Sequence, residues 1–262
     1  MLCYDGCINL HLAGLWPSHH LLVIKMSVAP FIKVDDLHIR YTNSSKSGDS
    51  SWALQGVSFE VTQGDRLGIL GRNGSGKSTL LRTLAGIYLP ERGQVEVVGD
   101  VASIFNASLG FVPEATGWEN IFLRGAVMGL SLKEAGSLAP SIIEFAQLGD
   151  WIHEPLSRYS SGMALRLAFA ITTAVSADVL LMDEWLGAGD AEFIRKARVR
   201  MREVVEQSGL LVLATHNLQL MRNICNKAMI IDAGKIVSLG EIDDVVAAYR
   251  KMLEDKIVAG GV

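Results

Sequence analysis

Residues 71 to 78, GRNGSGKS, place Gly71, Gly74 and Gly76 between an apolar run ending at Leu70 and the helix-forming stretch TLLRTL. The segment fits G-x-x-x-x-G-K-[ST], a pattern that needs a strand before it and a helix after it. Glycines let the backbone curl until several N–H groups point inward at phosphate oxygens, and the helix start adds positive potential. Lys77 is suited to reach the β and γ phosphates and Ser78 to ligate Mg²⁺. Arg72, Asn73, Ser75 and Thr79 complete the loop and the first helical turn. The stretch reads as a nucleotide site in an α/β fold.

Three short apolar runs downstream agree with that fold: VLLMD (179–183), LLVLA (210–214) and AMIID (228–232). Each is bounded by turn or helix signals, as buried parallel strands are. Upstream, FIKVDDLHIRY (31–41) reads as a strand, followed by a Ser-rich polar loop. VSFEVTQGDRLGIL alternates at Val57, Phe59 and Val61, turns at Gly64–Asp65 and enters a second strand. GQVEVVGDVA reads as another strand or a hairpin. Residues 114 to 177 read as mainly helical, with breaks at Gly129, Gly136, Pro140 and Pro155. DDVVAAYRKML is an amphipathic helix with Val245, Tyr249, Met252 and Leu253 on one face, closing a domain expected over 26–250 with a tail over 251–262.

Composition narrows the partners. The 262 residues carry 24 basic and 28 acidic side chains, a net charge of −4, with no basic block, which argues against nucleic acid. No run of 18 apolar residues offers a membrane span. The three cysteines, Cys3, Cys7 and Cys225, give neither a disulfide framework nor a full metal-ligand set. Residues 1 to 25 are apolar but lack a basic n-region and are interrupted by Pro17, His19 and His20. They are expected to be a disordered leader or a mis-assigned start, with Met26 as the alternative first residue.

Further chemistry sits at strand ends. Asp183 and Glu184 close VLLMDE, and a carboxylate there lies beside the phosphate loop in this fold class. Asp183 is expected to hold Mg²⁺, directly or through water, and Glu184 to polarise the attacking water. His216 follows LLVLAT in the same way, within reach of a γ-phosphate. YSSGM (159–163) is a turn of small residues opening into a helix apolar on nearly every face, with N–H groups and hydroxyls fit to hold an anion.

The order of glycine loop, Ser-Gly turn, DE and TH, over roughly residues 31 to 240, resembles the ATP-binding subunits of ABC transporters. The resemblance implies a P-loop NTPase fold with an antiparallel β subdomain and an inserted helical subdomain. It also implies ATP and Mg²⁺ as cofactors. Two copies would bind head to tail, with each ATP between one copy's glycine loop and the other's signature turn. Ser160 matches the signature serine, Gly162 its second glycine, Tyr41 the aromatic that stacks on adenine, and Asp190 in GAGD the D-loop aspartate. Ser161 replaces a glycine and Met163 a glutamine of the usual signature. FVPEATGWEN has no Q-loop glutamine, and Glu114 is expected to stand in as a metal-site residue.

PEATGWEN, YSSGM before RLAFA, and DEWLGAGD together resemble the branch that exports cell-surface polysaccharides such as O-antigen, capsule or teichoic acid. That implies a homodimer on the cytoplasmic face of the plasma membrane, working with a multi-pass permease docked near Glu114 and Trp118. The alternative is an ABC ATPase for a lipid or small-molecule substrate. A soluble ABC ATPase of repair or translation fits less well, because such proteins normally fuse two ATPase domains or carry a coiled-coil insertion.

Overall fold

The computed structural model describes residues 29–41, 51–104, 111–183 and 191–259. The expected leader, Met26, most of the Ser-rich loop, Glu184, Trp185 and Asp190 lie outside these residues.

β1 (Phe31–Tyr41) pairs antiparallel with β2 (Ser51–Thr62) on one side and β4 (Arg92–Val98) on the other. Its buried residues are Ile32, Val34, Leu37 and Ile39, so the alternation slips by one residue between Val34 and Leu37. The pairing register shifts at the same place and Asp36 takes a φ of 47°. A bulge absorbs the extra residue and keeps both halves of the strand facing one core.

The second sheet runs β5 (Val101–Ile104), β6 (Val179–Asp183), β7 (Leu210–Ala214), β3 (Arg66–Leu70), β8 (Lys227–Asp232), β9 (Lys235–Glu241). All neighbours are parallel except β8 and β9. The three apolar runs are therefore its parallel strands β6, β7 and β8. Their residues divide by parity. Val179, Leu181, Leu210, Val212, Met229 and Ile231 face a core shared with the antiparallel sheet and with Leu80, Leu81 and Leu84 of α1 (Lys77–Leu84). Leu180, Met182, Leu211, Leu213, Ala228 and Ile230 face the other way, onto α5 (Ala191–Gln207), α6 (Leu218–Ile224) and α7 (Ile242–Ala259). Burial on both faces is why these strands carry no polar alternation.

GQVEVVGDVA is not a hairpin. The chain turns at Gly99, and β4 stays in the antiparallel sheet while β5 joins the edge of the parallel one beside β6. β9, a second feature not anticipated, alternates half-buried and exposed residues along a sheet edge. The boundary expected at residue 250 falls inside α7, which continues to Ala259 because no glycine or proline interrupts it before Gly260.

The helical insertion contains α2 (Gly117–Val127), α3 (Leu132–Ala146) and α4 (Ser161–Thr172) around their own core of Ile121, Ile142, Ile152, Leu167 and Ile171. Thr116 and Ser131 open α2 and α3 with reciprocal capping boxes to Glu119 and Glu134. Gly129 falls between α2 and α3, but α3 runs straight through Gly136 and Pro140, correcting the breaks expected there. An interior proline costs about 3 kcal/mol. The buried stripe Ala135, Ala139, Ile142 and Ala146, with the capping box, offsets it.

Candidate functional site

The C-terminal ends of β3, β6 and β7 converge on one cleft of about 650 Å³. Its walls include Tyr41, Trp52, Asn73, Gly74, Gly76, Lys77, Ser78, Thr79, Asp183, Thr215 and His216. Residues separated by more than a hundred positions meet there because β7 lies between β6 and β3 in the sheet. Open α/β sheets bind ligands outside the carboxyl ends of their strands, which is where this cleft lies.

The glycine loop leaves β3 and enters α1 through Gly76, which has φ +110° and no side-chain cap. A Cβ there would stand 2.6 Å from the Ala53 carbonyl oxygen and 2.8 Å from Leu54 Cδ2, so only glycine lets β2 lie against the loop. No acidic residue occupies the first turn of α1. Its N–H groups are directed into the cleft with the dipole behind them, an arrangement suited to an anion. Lys77 is buried, and its Nζ donates to the carbonyls of Gly71 (2.7 Å) and Arg72 (3.0 Å). These bonds wrap the loop around the ammonium group.

Tyr41 and Trp52 form the aromatic wall. The Tyr41 hydroxyl lies 2.8 Å from Thr79 Oγ1, tying the end of β1 to α1, and its ring meets Tyr88 edge-on. Trp52 did not stand out in the sequence. It opens a strand after a polar loop, and only the β1–β2 register, which sets it opposite Arg40, brings it beside Tyr41. The Arg40 guanidinium sits 4.8 Å from the Trp52 ring centre while its Nε donates to Glu91 (3.1 Å), which holds the indole in place.

Gly71, Arg72 and Ser75 belong to the glycine loop without lining the cleft, and three further expected site residues lie elsewhere. Glu114 is exposed in the turn before α2, and Ser160 and Gly162 open α4; none lines the cleft of its own chain. Ser160 Oγ accepts the N–H of Met163 at 3.2 Å, so the hydroxyl is the N-cap of α4. The first turn and a half of α4 (161–166) is only partly covered, and just its second half is buried. Glu184 and Asp190 fall outside the described residues.

The Glu114 turn and the stretch before Ser160 are nevertheless joined. Leu156 N–H donates to Ala115 O (3.0 Å), Ser157 N–H to Pro113 O (2.8 Å) and Gly117 N–H to Glu154 O (3.1 Å). The Tyr159 hydroxyl donates to Trp151 O at 2.6 Å, and burial raises its pKa. A Cβ on Gly117 would run into that hydroxyl, so the glycine is required by close packing. Trp118 and Trp151 stand exposed beside this joint, Trp118 against Phe122.

A phosphate-cradling loop with a carboxylate and an imidazole at neighbouring strand ends defines a nucleotide-binding α/β domain. A family model described as ABC transporter matches residues 54–187. The O-antigen export system ATP-binding protein RfbE of Yersinia enterocolitica is 44% identical over 184 residues, covering 70% of this chain and 77% of that protein. The chain belongs to the ABC transporter family. It is also 38% identical over 230 residues to the teichoic acids export ATP-binding protein TagH of Bacillus anthracis, covering 88% of this chain and 41% of TagH. The O-antigen export protein RfbB of Myxococcus xanthus is 38% identical over 215 residues, covering 82% of this chain and 49% of RfbB. The chain thus spans less than half the length of these two relatives. An ATP-binding cassette solved as a dimer in a post-hydrolysis state with ADP and Pi shares the fold, with a TM-score of 0.66 at 20% identity, covering 80% of this chain and 98% of that one.

Proposed function

We propose that the protein hydrolyses ATP and thereby powers export of a cell-surface polysaccharide, of the O-antigen, capsule or teichoic acid class, through a partner membrane permease. The observation that carries this reading is the convergence of Lys77, Ser78, Asp183 and His216 on one cleft beside an aromatic wall. The names of the relatives supply the substrate class.

In this reading the N–H groups of Gly74 and residues 76–79 and the Lys77 ammonium hold the β and γ phosphates, while the Ser75 N–H closes the loop onto the Arg72 carbonyl (3.1 Å), and the base lies against Tyr41. The Ser78 hydroxyl and the Asp183 carboxylate are hard oxygen donors on one cleft, a set that suits Mg²⁺. Mg²⁺ neutralises charge on the phosphates when bound. Glu184 accepts the proton of the attacking water, and His216 contacts the γ-phosphate. Ser160, Gly162 and Asp190 act from a second copy of the chain.

Among the described residues no helix is long and apolar enough to cross a membrane. Passage of the polysaccharide then falls to the permease, with the protein peripheral on the cytoplasmic face of the inner (plasma) membrane. The joined loops 113–117 and 154–157, with exposed Trp118, form the contact to the permease. Trp118→Ala is expected to uncouple hydrolysis from export while leaving basal hydrolysis by the isolated subunit near normal.

Deletion of the gene tests the substrate. Polysaccharide is expected to accumulate inside the cell and disappear from its surface. Normal surface polysaccharide, in a strain with no second ATPase to substitute, would overturn the substrate while leaving the ATPase reading intact.

A further inference from the structure

A second cavity, of about 820 Å³, opens between α5 and α6 and shares Thr215 and His216 with the nucleotide cleft. Three arginines from two distant parts of the chain line it: Arg66 at the start of β3, and Arg198 and Arg202 on α5. Among the described residues none of the three forms an ion pair with a carboxylate. Among the described residues Glu206 is the only acidic side chain in the lining; the remaining polar groups include the amides of Asn217, Gln219 and Asn223.

The arrangement is unusual for a chain of net charge −4. Arg195, Arg198 and Arg202 stand at i, i+3 and i+7, all exposed on one side of α5, where like charges repel. Concave walls focus the field of such charges and raise the local concentration of a counter-ion. Guanidinium forks match phosphate oxygens with paired N–H donors, and the amides can satisfy the remaining polar atoms of a ligand.

We propose that this cavity is a binding site for a multiply charged phosphate group, separate from the glycine loop and placed beside His216. The shared wall means that the occupant contacts the strand end that also borders the nucleotide cleft. A soluble phosphorylated small molecule and a phosphate-bearing lipid headgroup present the same chemistry, and the test separates them.

Inorganic pyrophosphate is titrated by calorimetry into the full chain carrying Lys77→Ala, which weakens the glycine loop as a competing site. Binding is expected to persist, to weaken as salt rises, and to fall about tenfold or more when Arg198→Gln and Arg202→Gln are added. Both side chains are exposed, so an unchanged melting temperature shows that the loss is not unfolding. In a parallel arm the same proteins are sedimented with vesicles containing phosphatidic acid, whose phosphomonoester headgroup can carry two charges, and with phosphatidylcholine vesicles. Charge-dependent binding of pyrophosphate supports a soluble ligand, and binding only to the anionic vesicles supports a headgroup. Pyrophosphate and vesicle binding that are both absent, or both indifferent to the two arginine substitutions, overturns the site. The Lys77→Ala background and the absence of ATP keep this outcome independent of the proposed hydrolysis.

Discussion

Asp65, the residue that ends the turn into β3, shows how a single side chain holds the nucleotide strand in place. It is buried, and burial alone would raise its pKa. The Lys227 ammonium at 2.8 Å and donors from the Thr62 N–H (2.9 Å) and hydroxyl (3.1 Å) outweigh that and leave it below the usual carboxylate value. A carboxylate depressed in the folded state stabilises the fold above its unfolded pKa, about 4, and loses that contribution as pH falls through the lower folded value. Stability is therefore expected to be flat in this respect from neutral pH to about 5 and to drop below about 4. Asp65→Asn is expected to cost about 1–3 kcal/mol at pH 7 and to remove part of the acid-side slope. Urea melts of both proteins between pH 3 and 7 check this, and parallel curves with no offset would contradict it. Gly76 makes a different kind of demand. Gly76→Ala places a methyl group against the Ala53 carbonyl at positive φ, so nucleotide affinity is expected to fall together with melting temperature.

At the scale of elements, α4 carries two demands on one serine. Ser160 caps the helix in the structure, whereas the family resemblance gives it a phosphate on another chain. Ser160→Ala is expected to lose about 1 kcal/mol of stability with the cap, while Ser160→Asn keeps a capping acceptor. If the serine also contacts phosphate, both variants lose ATPase activity but only the alanine lowers the melting temperature. Activity that tracks melting temperature across the pair would leave Ser160 a cap and nothing more. The same scale shows what the sequence could and could not convey. β6, β7 and β8 were legible because burial on two faces writes an uninterrupted apolar run. The separation of β4 from β5 was not, since one turn at Gly99 looks the same whether the strands pair or part. Pro140 misled because the buried stripe that carries α3 past it is a tertiary effect. Within the candidate site, Lys77, Ser78, Asp183 and His216 could be read from motif and strand end. Trp52 could not, because strand register alone puts it beside Tyr41.

The arrangement of the whole molecule separates the elements of the proposed reaction. Lys77, Asp183 and His216 share a cleft, and Ser160 and Gly162 stand at the start of a helix outside it. If each ATP is enclosed by the glycine loop of one copy and the Ser160 turn of another, two copies make two equivalent sites, each built from both chains. Lys77→Ala and Ser160→Arg proteins are each expected to be inactive alone. Mixed in equal amounts, half of the dimers pair one of each. In such a dimer one site carries both substitutions, and the other joins an intact glycine loop to an intact turn. The mixture is then expected to recover up to about a quarter of the wild-type rate, provided one site turns over without its neighbour. The recovery should grow with protein concentration as dimers form, and Glu184→Gln protein, which lacks the proposed base, should not supply the intact glycine loop. A mixture that stays inactive at concentrations where dimers are seen by light scattering would place both groups in one chain's site, or require both sites at once. Repeating the mixture with wild-type protein in place of the Lys77→Ala partner separates these two. Dimers of wild-type and Ser160→Arg chains keep one intact site, so if single sites act alone the rate falls in proportion to the substituted turns. It falls more steeply if both sites must fire together.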